Sequence, residues 1–403
     1  MSDFYQTGVV STLHRLGEPK VEELELDLER YSRQRPIALV LPVTFSDLHA
    51  PACKNIFKEL RNVNYISEFV VTLGAANKKS QFEQAKKLVS ALPSNHALVW
   101  CNGPQMTKLY KLLEKYELDV GGDGKGRSAW TAYGYVIAKG VCDVIALHDC
   151  DIVNYSRDLL GRLCYPCTNP SMDYEFCKGF YSRVTDRMHG RVTRLFVLPI
   201  VRSLIKILGY LPFLEYLNSF RYPLAGEFSM LTDIARVNRV PGDWGLEVGT
   251  LAEVYRNCSI KRICQSNLCE NYEHKHQPLS PQDPGKGLLK MSIDIGKVLF
   301  RTLSSEGVVF SQAFFKTLIA TYLRMAQDTV KRYHDDAMIN KLNFDMHSEV
   351  TAVEAFTHGI EISGTTFLKD PLGAPQIPNW SRVTSAIPDF LDKLLEAVRE
   401  DNA

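Results

Sequence analysis

The sequence predicts an α/β protein, with a mainly parallel sheet flanked by helices and a helical C-terminal region. Three observations carry that reading. Uninterrupted apolar runs recur along the first part of the chain, as in strands covered on both faces. Segments of helical period separate them, the alternation that builds a parallel sheet. After residue 280 the pattern becomes helical throughout.

Residues 1–35 read as an N-terminal helical extension, in which VEELELDLERYSRQ sets Val21, Leu24, Leu26, Leu28 and Tyr31 among many charges. IALVLPV (37–43) is the first buried strand, and a helix follows near 52–62. EFVVTLG (68–74) is the second strand. SQFEQAKKLVSAL (80–92) is a helix, with Ser80 as N-cap and Glu83 three residues on. HALVWCN (96–102) is the third strand. GKGRSAWTAYGYVIAKG (124–140) is a helix opened by glycine, and VCDVIALHDCD (141–151) is the fourth strand. The segment 195–217, LFVLPIVRSLIKILGYLPFLEYL, is strongly apolar, but Arg202, Lys206, Pro199 and Pro212 interrupt it. A charge inside a membrane span is costly, so an amphipathic helix in the core or at a dimer interface is preferred to a span or a surface anchor. QPLSPQDPGKG (277–287) is a connector rich in proline and glycine, and helices follow to the end of the chain.

The bulk numbers narrow the function. A length of 403 residues allows a large core and more than one part. Apolar residues make up 45% and charged residues 23%, as in an ordinary soluble protein. A net charge of +1 gives no general pull toward nucleic acid or membrane. No apolar signal run follows the N-terminus, and the ten cysteines are sparse for a disulfide framework, so reduced thiols in the cytoplasm are expected. A zinc site from Cys164, Cys167, Cys264 and Cys269 is disfavoured by the loose second spacing.

Six stretches carry chemistry. Asp149 and Asp151 flank Cys150 at the end of a buried strand, where acids must be solvated, paired or bound to a cation. Two acids on one side can grip a hard divalent ion that bridges a diphosphate, or they can cap a turn. GGDGKGRSAW (121–130) offers glycines for close approach, a helix N-terminus for an anion and the charge of Lys125, or else a flexible loop. It is neither a dinucleotide fingerprint nor a P-loop. NYEHKHQPL (271–279) sets His274 and His276 two apart as candidate metal ligands. Lys178, Arg183, Arg187, Arg191 and Arg194 form a solvated face or hold a carboxylate or phosphate. RYPLAGEFSML (221–231) and PGDWGLEVGTL (241–251) each place one acid, Glu227 or Glu247, beside glycines.

Together and in this order, the strand ending in proline, GKG-x-x-x-W, the D-x-D strand end, KGFY, GRVT, PLAGE, G-x-G-x-E-x-G-like and H-x-x-x-PL segments resemble the glucosyl-3-phosphoglycerate synthases over residues 37–280. The related mannosyl-3-phosphoglycerate and mannosylglycerate synthases fit these motifs less closely. The resemblance implies a retaining glycosyltransferase of the GT-A fold, with a Rossmann-like mixed sheet. It implies a nucleotide-sugar donor, linked to UDP, GDP or ADP, a divalent metal such as Mg2+ or Mn2+, and 3-phosphoglycerate or glycerate as acceptor.

By resemblance, Asp151 and His274 bind the metal, with His276 less matched, and Asp149 and Lys125 serve the donor phosphates. Pro42, Val43 and Thr44 match the end of the base-binding strand. Gly190, Arg191, Val192 and Thr193 match the acceptor segment. Leu224, Ala225, Gly226 and Glu247 match positions around the transferred sugar. Glu247 is also the candidate nucleophile should a covalent intermediate form. The implied organisation is a GT-A domain at 36–280, with a nucleotide-sugar half at 36–155 and an acceptor half at 156–280, followed by a helical region at 281–403.

The chain departs from the family at PVTFSDL, where Ser46 or Asp47 stands in place of an expected glutamate, which leaves the base open. Asp243 and Trp244 replace a small pair, and the C-terminal region is long enough to cover the acceptor side or build a homodimer. A nucleotidyltransferase would open with a glycine- and arginine-rich loop that PVTFSDL lacks. A polyprenyl-phosphate glycosyltransferase would need 195–217 at a membrane, and a non-catalytic binder would lack turnover.

Overall fold

The computed structural model describes residues 5–6, 8–18, 20–275, 277–373 and 376–403. Its strands are Ser11–Leu13 (β1), Ile37–Thr44 (β2), Ile66–Gly74 (β3), His96–Trp100 (β4), Val144–Leu147 (β5), Phe176–Ser182 (β6), Phe228–Leu231 (β7) and Ile263–Asn271 (β8). They form one eight-stranded sheet in the order β1-β8-β6-β7-β5-β2-β3-β4. β7 runs antiparallel to both β5 and β6, and the other pairs are parallel. The apolar run of β2 has its cause in this placement. Ala38 and Val40 join the core on one face, while Ile37, Leu39, Leu41 and Val43 join the core on the other.

The first helices are Val21–Tyr31 (α1), Pro51–Leu60 (α2), Lys79–Val89 (α3), Pro104–Lys115 (α4), Lys125–Lys139 (α5), Arg157–Thr168 (α6), Leu198–Leu208 (α7), Pro212–Ser219 (α8), Thr232–Val237 (α9) and Leu246–Asn257 (α10). The C-terminal region adds Gly287–Ser305 (α11), Gln312–Ile339 (α12), Met346–Lys369 (α13), Trp380–Ala386 (α14) and Phe390–Asn402 (α15).

Several local expectations change. The segment expected as a helical extension also carries β1, which widens the sheet beside β8. α3 begins at Lys79, so Ser80 lies inside it, and the Gln81 side chain accepts from the backbone N–H groups of Asn77 and Lys78 at its start. The fourth strand is shorter than expected: β5 stops at Leu147, and Asp149 and Asp151 stand in the loop beyond it. The stretch 195–217 becomes a π-helical turn (Val192–Val197), α7 and α8, with its apolar side in the core. Among the described residues no helix is long and apolar enough to cross a membrane.

The last two helices close over α5. Trp380 is fully buried and stacks on Trp130 with ring centroids 4.1 Å apart. The Trp130 indole donates to the Pro378 carbonyl and the Trp380 indole donates to the Trp130 carbonyl. A Cβ at Gly134 would lie 2.0 Å from the Trp380 ring, so only glycine admits this contact. The C-terminal region is thereby built into the same core that backs the first half of the sheet.

Candidate active site

A cavity of about 1080 Å³ opens beyond the carboxyl ends of the strands, the place where open α/β sheets bind ligands. One end is formed by Pro42, Val43 and Thr44 at the end of β2, by Gly74 and by the N-terminus of α5. Thr44 donates its hydroxyl to Asp47, and both line the cavity, so the turn PVTFSDL presents Asp47 there. Asp123 accepts from the Ala75 backbone and from Asn102, which ties the ends of β3 and β4 to the glycine loop. A Cβ at Gly126 would sit 2.2 Å from the Pro241 carbonyl oxygen, so glycine is required for this close approach.

The centre is an ion-pair cluster. Lys125 Nζ lies 2.6 Å from Asp149 Oδ1 and 3.5 Å from Glu247 Oε1. Burial works against the lysine charge, yet Asp149 and Glu247 outweigh it and hold its pKa well above the ordinary value. Burial likewise opposes ionisation of Asp149, and Lys125 outweighs that, so its carboxyl titrates below the usual range. His148, fully buried, shares its Nδ1 proton with the Asp149 carbonyl oxygen and accepts from the Tyr155 hydroxyl at Nε2. Burial pushes its pKa down to about 4.

Beneath the cluster, Glu227 accepts from the hydroxyls of Tyr181 and Tyr272. Burial and then the Asp149 charge raise its pKa. Lys178 is also buried, its ammonium without a hydrogen-bond partner among the described residues and 5.5 Å from the Phe228 ring centroid. Burial lowers its pKa to about 8, against the pull of Glu247 and Glu227.

The residues expected to hold a divalent ion fit one. Asp151 Oδ1 is buried and has no hydrogen-bond partner among the described residues, and Asp151 Oδ2 lies 3.5 Å from His274 Nδ1. Among the described residues no group of three or more His, Cys, Asp or Glu is arranged around a metal position. Magnesium-type sites commonly use one or two protein ligands and complete their shell with substrate phosphates and water, which this pair permits. His276 lies outside the described residues.

At the other end, Gly190, Arg191, Val192 and Thr193 all line the cavity. Gly190 adopts φ +74°, which favours glycine, and a Cβ there would also crowd the Tyr222 hydroxyl at 3.1 Å. Thr193 Oγ1 is buried without a hydrogen-bond partner among the described residues. Leu224 and Gly226 face the cavity, whereas Ala225 is fully buried in the core below and does not. Lys178 and Arg194, two of the five cations in the basic cluster, are also turned into the protein.

The structure adds residues that sequence reasoning did not single out. Tyr181, Tyr222 and Tyr272 wall the centre, and Leu288, Lys290 and Met291 of α11 also line the cavity. The tyrosines were visible inside the quoted motifs. The α11 residues had no local signal, because only the packing of the C-terminal region brings them to the cavity.

No family model matches the chain. It is 45% identical to a glucosyl-3-phosphoglycerate synthase of Persephonella marina over 403 residues, 100% of both chains. It is 37% identical to a glucosyl-3-phosphoglycerate synthase of Methanococcoides burtonii, over 99% of this chain and 98% of the relative. Among solved structures, it is similar to the glucosyl-3-phosphoglycerate synthase of Mycobacterium tuberculosis at 20% identity and a TM-score of 0.52, covering 75% of this chain and 89% of that one. That enzyme was crystallised with Mg2+ and uridine diphosphate, and with Mn2+, UDP-glucose and phosphoglyceric acid. The sheet and its flanking helices are those of a GT-A glycosyltransferase. Identity of 45% and 37% carried over whole chains places this protein in the glucosyl-3-phosphoglycerate synthase family.

Proposed function

We propose that the protein transfers glucose from a nucleotide-diphosphate sugar to the 2-hydroxyl of 3-phosphoglycerate, retaining the anomeric configuration. The carrying observation is one cavity with acids and a lysine at the strand ends and arginine at the far end. Pro42, Val43 and Thr44 hold the base, and Asp47 stands where the ribose and base enter. Leu224, Gly226 and Glu247 surround the sugar. The full-length relatives carry the same activity in their names, and the solved relative binds UDP-glucose, so UDP-glucose is the first donor to test.

Asp151 and His274 hold the divalent ion, which supplies Lewis-acid stabilisation of the departing diphosphate. Lys125 adds a fixed ammonium to the same leaving group, and Asp149 and Glu247 orient that ammonium. Arg191, Thr193 and the Gly190 backbone place the acceptor's anionic end, which brings its 2-hydroxyl to the anomeric carbon. The new bond forms from that hydroxyl oxygen to the anomeric carbon as the bond to the phosphate oxygen breaks. The hydroxyl proton passes to the leaving phosphate. Glu247 is engaged with Lys125, which favours this front-face path over a covalent glycosyl intermediate on Glu247.

The division into a nucleotide-sugar half at 36–155, an acceptor half at 156–280 and a helical region at 281–403 is part of the same reading. So are a homodimer and a cytoplasmic location, the dimer being tested by light scattering.

The deciding experiment is a turnover screen. UDP-, GDP- and ADP-linked glucose and mannose are each paired with 3-phosphoglycerate and with D-glycerate, with Mg2+ or Mn2+, and released nucleoside diphosphate is read. Metal-dependent release with a glucose donor and 3-phosphoglycerate alone is expected. Release with mannose or glycerate assigns the relative's chemistry instead, and no release from folded protein overturns the reading.

A further inference from the structure

The acceptor loop is held from a distant part of the chain. Glu349 stands in the first turn of α13 and is buried. Its Oε1 accepts from Arg191 Nε at 2.7 Å, and its Oε2 accepts from Arg194 Nη1 at 2.9 Å. The two arginines differ in what remains to them. Arg194 donates also to the carbonyls of His189 and Met188 and stacks over the Tyr333 ring at 4.8 Å, so it is consumed inside the protein. Arg191 lines the cavity with a third of its side chain exposed, and its two terminal nitrogens make no hydrogen bond among the described residues.

The loop has a second tether from the same region. Asn343, between α12 and α13, donates its backbone N–H to the Asp186 carbonyl and its side-chain amide to the Asp186 carboxylate. The segment 186–194 is thus gripped at both ends by residues beyond 340.

Charge follows from this geometry. A lone carboxylate on Arg191 would cancel the cation that an anionic acceptor needs. Arg194 shares the same carboxylate, so the three groups keep one net positive charge. With Nε fixed by Glu349, the guanidinium plane is set, and its Nη edge can face a phosphate or carboxylate in two-point fashion.

We propose that Glu349 is a positioning residue for acceptor binding, which makes the C-terminal helical region part of the acceptor site. The inference rests on the reading of Arg191 as the acceptor's anion holder. Glu349 touches no reacting atom. It acts by fixing the direction of Arg191 and the shape of the loop 188–191, and so its effect is confined to the acceptor.

The test is steady-state kinetics of Glu349→Ala and Glu349→Gln with both substrates varied, beside Arg191→Ala. Both Glu349 variants raise the KM for 3-phosphoglycerate, by at least about tenfold for Glu349→Ala. Glu349→Gln, which keeps the shape but can accept from only one guanidinium at a time, gives the smaller rise. The donor KM and kcat stay within about threefold, and calorimetric binding of UDP with Mg2+ is unchanged. An unchanged acceptor KM in Glu349→Gln and Glu349→Ala overturns the proposal. So does an equal loss of donor and acceptor binding, which a merely structural role would produce. Should Glu349→Ala not fold, the near-isosteric Glu349→Gln decides by the same criteria. If Arg191→Ala itself leaves the acceptor KM untouched, the acceptor reading fails. If Arg191→Ala raises it and neither Glu349 variant does, the positioning role alone fails.

Discussion

Replacing Gly226 by alanine tests the ion-pair centre directly. Gly226 has no positive φ, so its backbone accepts a side chain without strain. The obstacle is local: the new Cβ would lie 2.6 Å from Asp149 Oδ2 and 2.8 Å from Lys125 Nζ. Ordinary contact begins at 3.4 Å, so the Asp149 carboxylate must retreat by about 0.8 Å. If that retreat stretches the Lys125–Asp149 pair from its 2.6 Å by the same amount, their attraction weakens by about 1.5 kcal/mol at an effective dielectric constant of about 20. That is about tenfold in rate if the pair acts in the transition state, and displacement of the ammonium by most of an ångström extends the loss toward about a hundredfold. Stability should fall by about 1–2 kcal/mol, the weakening of the pair itself, because the crowded atoms are side-chain ends at a cavity wall that can shift. The assay is metal-dependent release of nucleoside diphosphate, with the unfolding midpoint measured in parallel. A Gly226→Ala enzyme with kcat/KM within about threefold of the parent would refute the placement of this ion pair at the reacting centre.

Asp151→Ala should abolish metal-dependent turnover while leaving the unfolding free energy within about 1 kcal/mol, since its side chain is 27% exposed; full turnover at the parent's metal requirement would end its assignment as a ligand. His148 supplies a pH dependence of stability. Its pKa is about 4 in the folded protein against about 6.5 unfolded, so between these values only the unfolded chain takes up the proton. Stability is therefore lost as pH falls from about 6.5 to 4, by about 3 kcal/mol in order of magnitude. Urea midpoints at the two ends of that window should show a shallower slope for His148→Gln, and equal slopes would refute the buried neutral imidazole. Trp380→Ala should cost about 3–5 kcal/mol of stability through the emptied space against Trp130, and a loss below about 1 kcal/mol would show that the C-terminal region folds apart from the first half.

Much of the donor side was legible locally. β2 was readable because a strand buried on both faces has no polar alternation to confuse it. α5 was readable because Gly124 and Gly126 precede a long buried run, and the packing of Gly126 against the Pro241 carbonyl explains the glycine that the motif contains. The acceptor side was half legible. Arg191 stood out within a basic cluster, but Glu349 is 158 residues away and carries no local signal. The same holds for Trp130 and Trp380, 250 residues apart, and for β1, whose three residues are too few to show a period. Lys178 and Arg194 read with their neighbours as a solvated face or an anion holder because charge in a sequence does not reveal burial, and only packing turns them inward. Ser80 failed as an N-cap because the helix starts earlier, at Lys79, where the Gln81 side chain accepts from the Asn77 and Lys78 N–H groups just before it.

The cavity separates its charges, and that separation carries a consequence for binding. At the strand-end side, Asp47, Asp123, Asp149, Asp151 and Glu247 line the cavity with Lys125 and Lys275, so carboxylates outnumber ammonium groups there. That end is net negative, so a nucleoside diphosphate meets repulsion there unless a cation accompanies it. At the end lined by Gly190, Arg191, Val192 and Thr193 the balance is reversed. Arg191 and Arg194 outnumber Glu349, and Arg183 and Arg187 line the same wall. An anionic acceptor is therefore attracted without any ion. The pairing of Asp149 with Lys125 holds the ammonium in place within the net-negative end. On the proposed assignment of the two ends, this charge arrangement predicts that donor binding depends on the divalent ion and acceptor binding does not, a difference reached with fixed charges alone.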